Sequence, residues 1–187
     1  MHKLWLKKLK LNYSENVLDI VQYGSSVMED SQANDIDIAV IFNKIPVKEQ
    51  LDESQMIKKQ LMEISQLPIH IKSYDFYSLF DKSNFAGEGI LFHGISILKK
   101  DYFSKIFGFM PRLYIFYSLD KLKKKDKIRF NYMLNGKGGK YGILRKYNGK
   151  LVKPGMIEIS PEHENIFNDS IKEYISSFMI KKVFSLI

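Results

Sequence analysis

Residues 17–42 read VLDIVQYGSSVMEDSQANDIDIAVIF, two apolar runs joined by a polar loop that opens on Gly24-Ser25-Ser26. The first run, VLDIVQY, is apolar enough for a buried strand, and the glycine and serines after it predict a sharp bend. Nine residues separate Ser25 from Asp35, and all but Val27, Met28 and Ala33 are polar, which predicts a loop. DIDIAVIF (35–42) alternates at first and then becomes continuously apolar, the pattern of a central strand with one end open on a site. Working outward, Leu51, Ile57, Leu61 and Ile64 recur near helical spacing over 47–65, Leu67-Pro68 closes that segment, and IHIKSYDF (69–76) predicts another strand. The order strand, strand, helix, strand predicts mixed pairing, with helices covering one face of the sheet. Residues 76–107 are expected to hold a short helix or two and an edge strand near ISIL.

Charge divides the chain. Residues 1–110 hold 13 Lys+Arg against 14 Asp+Glu, whereas 111–187 hold 16 against 7. Within 121–153 there are twelve basic residues and one acid, Asp126. A genome-wide lysine bias would not confine them to one part of the chain. With Gly108 and Pro111 as punctuation, two domains are expected, 1–108 and 109–187, the second a small basic α+β region, and the fold class is α+β overall. Beyond the boundary LYIFYS predicts a strand, and IRFNYML suits a strand or a short helix. YGILRKYNGKLVKPGMIEI reads as two strands joined at Asn148-Gly149, a dipeptide that tolerates the positive φ of a tight hairpin. Ser160-Pro161 opens a helix whose buried face is Ile166, Phe167, Ile171, Tyr174, Ile175 and Phe178.

At 187 residues, 45% of them hydrophobic, the chain can supply a sizeable core. It has no cysteine, which excludes disulfides, thiolate zinc sites and thiol nucleophiles, and fits a reducing compartment. Lysines interrupt every apolar stretch of the N-terminus, so no secretory signal is expected. No run approaches the ~18 apolar residues of a membrane span. The expectation is a cytoplasmic protein without a membrane partner.

Two carboxylates at i and i+2 on a strand project from one face, and Asp35 and Asp37 have that spacing. Such a pair suits Mg²⁺, which takes hard oxygen ligands and is commonly held by one or two carboxylates plus substrate phosphates. A Gly-Ser bend brings backbone amides close to phosphate oxygens. Gly-Ser, nine residues, then Asp-Ile-Asp-Ile resembles the signature of the polymerase-β-like nucleotidyltransferases, and is most similar to their minimal, small members. The likeness spans residues about 15–105 and leaves the C-terminal third uncovered. It implies that Gly24, Ser25 and Ser26 hold the triphosphate of an NTP, that Asp35 and Asp37 bind Mg²⁺ or Mn²⁺, and that an NMP passes to an acceptor with release of pyrophosphate. Family members place a third carboxylate on the next strand, and that position here is His70, within Ile69-His70-Ile71. His70 is then expected as a neutral ligand or general base, while the alternative is a packed structural histidine. Asp75, at odd offset from His70, is expected to face the other way.

In the basic third, Phe130, Tyr132, Tyr141 and Tyr147 interleave with charge. Lys124, Lys127, Arg129, Lys137, Lys140, Tyr141, Arg145 and Lys146 are expected to hold RNA or single-stranded DNA through phosphate neutralisation and stacking; the alternative is a solvated lysine face with its aromatics in the core. GKGGKYG (136–142) lacks the spacing of a Walker loop. His2 is terminal, and His93 and His163 are expected to be structural or exposed. A catalytically degenerate fold acting as a nucleic-acid-binding or toxin–antitoxin-like module is the alternative to transfer, and transfer to a protein hydroxyl a third reading.

Overall fold

Strand β1 (Val17–Tyr23) pairs antiparallel with β2 (Ile36–Phe42), placing Tyr23 opposite Asp37. The chain then forms α1 (Val47–Met62) and returns as β3 (Ile69–Asp75), parallel to β2 with His70 opposite Asp37. After α2 (Gly87–His93), the short β4 (Ile95–Ser96) adds to the other side of β1, so the sheet order is β3-β2-β1-β4. The computed structural model describes residues 3–138 and 140–187, with Lys140 described in its backbone alone. The chain divides into two compact units: the chain up to Val27 with Ser31–Gly108, and Met28–Asp30 with Phe109–Ile187.

Both faces of the first sheet are covered, not one. Ile36, Ile38, Val40 and Phe42 pack with Ile57 and Leu61 of α1 and with Leu4. Ala39 and Ile41 pack on the opposite side with Val21, Leu79, Ile90 and Phe103. The physical reason lies in β2, which is apolar at both parities after Asp37, so each face needs a cover. The buried stripe of α1 also differs from the apolar spacing. Gln50, Ser54, Ile57 and Leu61 face inward, while Leu51 is exposed. Gln50 is admitted because its amide donates to the Ile45 carbonyl at 3.0 Å, which satisfies a polar group otherwise costly to bury.

Asp19 of β1 is fully buried. Its Oδ1 accepts from the Ser96 hydroxyl at 2.7 Å and from the Ile20 amide at 2.8 Å, but Oδ2 has no hydrogen-bond partner. Burial therefore pushes its carboxyl above the ordinary value, against the pull of those two hydrogen bonds. A carboxylate with a raised folded-state pKa is favourable below its unfolded value and loses stability as pH rises through the raised one. Asp19→Asn is thus expected to unfold at a higher temperature than wild type at pH 7, with the gap closing as pH falls below about 4. Thermal unfolding of both proteins across that range checks this, and a constant gap would refute the assignment.

The second unit has a four-stranded antiparallel sheet in the order β10-β5-β9-β8. It contains β5 (Phe109–Phe116), α3 (Lys124–Asn135), the two-stranded pair β6 (Gly136–Lys137) and β7 (Lys140–Tyr141), and α4 (Ile143–Lys146), followed by β8 (Lys150–Lys153), β9 (Met156–Ile159), α5 (Glu164–Lys172) and β10 (Met179–Leu186). IRFNYML is helical, with Phe130 and Leu134 fully buried. The hairpin β8–β9 turns at Pro154-Gly155, where Gly155 takes φ +82°, rather than at Asn148-Gly149. Asn148 does adopt positive φ, but there the chain ends α4, with the Gly149 amide donating to the Leu144 carbonyl at 2.7 Å. Helix α5 stops at Lys172, short of Tyr174, Ile175 and Phe178, which the apolar spacing places on the helix, and the chain then forms the strand β10. Among the described residues no helix is long and apolar enough to cross a membrane.

Candidate active site

The open end of β2 gathers the residues that the sequence pattern singles out in the first unit. Gly24 begins a 3-10 turn after β1 at φ +73°, and a Cβ built on it would lie 2.7 Å from Asp37 Oδ2. Bend and carboxylate therefore meet, and only a glycine leaves room for both. Asp37 is flanked by Tyr23 on the antiparallel β1 and by His70 on the parallel β3, each one strand spacing away. Asp35 closes the group, with Oδ2 3.2 Å from His70 Nδ1. The His70 side chain is 63% exposed and hence reachable by a ligand.

Electrostatics here favour an added cation. Asp37 is held above the ordinary carboxylate value by partial burial and by the charge of Asp35, while His70 and Lys72 pull it back. Like charges facing each other at a half-buried edge are relieved by a positive partner. Asp35 stands in a bend one residue before β2 rather than on the strand, yet its charge acts on Asp37, and two hard carboxylate donors so near each other suit Mg²⁺ or Mn²⁺. A third side-chain carboxylate does not join them: among the described residues no cluster of three or more His, Asp or Glu side chains could hold a metal ion. Asp75 is used elsewhere, accepting from the Tyr77 and Ser78 amides at 2.9 and 3.1 Å.

The two serines of the bend part company. Ser25 is exposed, whereas the Ser26 hydroxyl is buried, donating to the Tyr23 carbonyl at 3.1 Å and accepting from the Gln22 amide at 2.9 Å. Ser26 therefore shapes the bend, and Ser25 is the serine available to a ligand. Three neighbours escaped the sequence reading. Lys72 and Tyr74 follow His70 at period two on β3, a signal that was legible, and Tyr23 sits opposite Asp37. The Tyr23 and Tyr74 hydroxyls are hydrogen-bonded, and burial first, then each other's charge and that of Asp37, pushes Tyr23 up. Burial and Asp37 also push Tyr74 up, against the hydrogen bond it accepts from Tyr23.

In the second unit Lys124, Arg129, Lys137, Tyr141, Arg145 and Lys146 are exposed and Lys127 is half-buried. The Lys140 side chain lies outside the described residues, as does His2. Lys146 stacks its amine 4.7 Å from the Tyr147 ring centre. The aromatics divide: Phe130 is fully buried and Tyr147 packs on Phe167, while Tyr132 and Tyr141 stand in solvent. His163 is packed against Tyr147, with Nδ1 2.8 Å from Glu29 Oε2 but off the line of a hydrogen bond. His93 lies edge-on against Phe92 at 5.0 Å. No protein-family model matches the chain, and neither does any curated protein or any solved structure.

Proposed function

We propose that the first unit binds an NTP with a divalent cation and transfers its NMP to an acceptor hydroxyl, as a member of the polymerase-β-like nucleotidyltransferases, inside the cell and with a nucleic acid as acceptor. The observation that carries this reading is the convergence of Gly24 on Asp37, a bend and a carboxylate in contact with no room for a Cβ between them. Asp35 and Asp37 would hold Mg²⁺ or Mn²⁺, which, when bound, neutralises charge on the triphosphate. Backbone amides at Gly24 and Ser25, with the exposed Ser25 hydroxyl, bind phosphate oxygens. The acceptor oxygen bonds to the α-phosphorus as the bond to pyrophosphate breaks. With His70 Nδ1 turned to Asp35, Nε2 is the nitrogen that takes the acceptor proton. The test is incubation with α-labelled NTPs, Mn²⁺ or Mg²⁺ and RNA or DNA, in which wild type labels the acceptor and Asp35→Ala/Asp37→Ala does not. Equal labelling by the two proteins would sink the reading.

A second reading is favoured by one observation, His70 in register opposite Asp37 where a third acid belongs. The pair Asp35 and Asp37 would then bind nucleotide without chemistry, in a degenerate binding module or one half of a toxin–antitoxin-like pair. Saturable NTP binding by calorimetry without label on nucleic acid or on any protein hydroxyl distinguishes it from transfer.

A further inference from the structure

Helix α3 buries Phe130 and Leu134 completely and turns Lys124, Lys125, Ile128, Arg129 and Tyr132 to solvent. Lys124, Ile128 and Tyr132 follow one another at i, i+4, i+8 and so form a single row along the helix, with Lys125 and Arg129 beside it. Ile128 is 44% and Tyr132 51% exposed, large for apolar groups with a core at hand. The one acid of the helix, Asp126, pairs with Arg129 at 3.9 Å, an exposed ion pair of the kind that contributes little. The helix runs directly into β6, and Tyr141 of β7 pairs with Gly136, one turn beyond Tyr132. The hairpin base is pinned there: a Cβ on Gly142 would lie 2.3 Å from the Leu134 carbonyl oxygen.

Tyr141 carries the inference furthest. Its side chain is 92% exposed and its backbone sits at φ +75°, a conformation that is a true outlier for a bulky residue. The fold gains no packing from a ring so exposed, yet meets the cost of holding it out. Strain of this kind concentrates at functional positions. Tyr132 on the exposed row of α3 and Tyr141, paired with a glycine one turn beyond it, present flat faces for bases, and Lys124, Lys125, Arg129 and Lys137, exposed on the same elements, present charges for phosphates.

We propose that the outer face of α3 and the β6–β7 hairpin bind single-stranded nucleic acid, with bases stacked on Tyr132 and Tyr141. This names the acceptor class of the transfer proposed above and rests on that reading only for the acceptor role. The surrounding charge selects a polyanion over an apolar protein surface, since residues 121–153 hold twelve basic side chains and one acid. Exposed rings within that basic stretch select unpaired bases over a closed duplex.

The test is fluorescence anisotropy of the full chain with labelled oligo(U) and oligo(dT) of about 12 nucleotides, within the range of known single-strand site sizes, in EDTA and without NTP. Single strands are expected to bind more tightly than a duplex of equal length. Tyr132→Ala and Tyr141→Gly are each expected to weaken binding roughly fivefold to a hundredfold, whereas Tyr141→Phe keeps it. Glycine relieves the positive φ, so the Tyr141→Gly chain folds. Arg129→Ala should flatten the salt slope by about 0.7. Binding that both tyrosine variants retain overturns the proposal, as does a duplex or inorganic polyphosphate binding as tightly as the single strands. Because NTP and metal are absent, intact binding without label transfer sinks only the transfer reading. Transfer to an acceptor that is not a nucleic acid, without oligonucleotide binding, overturns this proposal and the acceptor named above but leaves nucleotidyl transfer by the first unit standing.

Discussion

Asp37→Asn is expected to cut NMP transfer by about 10³-fold or more, near 4 kcal/mol of barrier, while leaving the first unit more resistant to heat at neutral pH. The two effects share one cause. Asp37 is half-buried and faces Asp35, and both raise its carboxyl above the ordinary value of 3.8. A folded-state pKa above the unfolded one means that the fold holds the proton more tightly. The associated stability is present at low pH and is lost as pH climbs from the ordinary value through the raised one. At pH 7 the wild type bears the whole repulsion, and a neutral amide removes it. Melting curves of the two proteins between pH 3 and 8, roughly spanning that window, should separate progressively as pH rises, with the variant higher. A variant that transfers NMP at the wild-type rate would remove Asp37 from the chemistry. One that melts below wild type at pH 7 would contradict the electrostatic account.

Gly24→Ala and Gly108→Ala form the second test, because both glycines hold positive φ but only Gly24 faces Asp37. Gly24 has φ +73° and Gly108 +78°, so alanine at either pays about 1–2 kcal/mol for the left-handed conformation. A Cβ at Gly108 meets nothing within 4 Å, but at Gly24 it would stand 2.7 Å from Asp37 Oδ2. Both variants are therefore expected to melt several degrees lower, at roughly 4–8 °C per kcal/mol for a unit of this size. Gly24→Ala alone should weaken NTP binding, by about tenfold or more, since the carboxylate must move away from the phosphate cradle. Calorimetric titration with an NTP and Mn²⁺ measures this. Equal losses of affinity in both variants would mean that the glycine serves the backbone only.

The helix–sheet order of the first unit was legible because its strands alternate cleanly or are continuously apolar, and Pro46, Pro68 and Gly24 mark their ends. What covers the second face was not, since residues 76–107 carry short elements whose partners are set by contacts far along the chain, such as Phe103 against Val21 and Ile41. In the second unit local signals competed. Asn148-Gly149 and Pro154-Gly155 both suit tight turns, and the choice fell to the second because β8 pairs with β9, whose Ile157 and Ile159 complete the core. At the candidate site the pair Asp35 and Asp37 and the bend before it are local features. Ser26 is equally local in sequence, yet its hydroxyl is taken up by the Gln22 side chain and the Tyr23 carbonyl, which no spacing announces.

By itself, then, the sequence determined alternation along an extended backbone, a local property that puts His70, Lys72 and Tyr74 on one face of β3, whereas Asp35 stands in a bend one residue before β2, where alternation does not place it. That Asp37 stands opposite His70, that Asp35 reaches His70 from outside the strand, and that Gly24 presses on the Asp37 carboxylate are outcomes of the tertiary fold. Strand register and the packing of both sheet faces bring these groups together, and those depend on burial of apolar residues distributed over the whole unit.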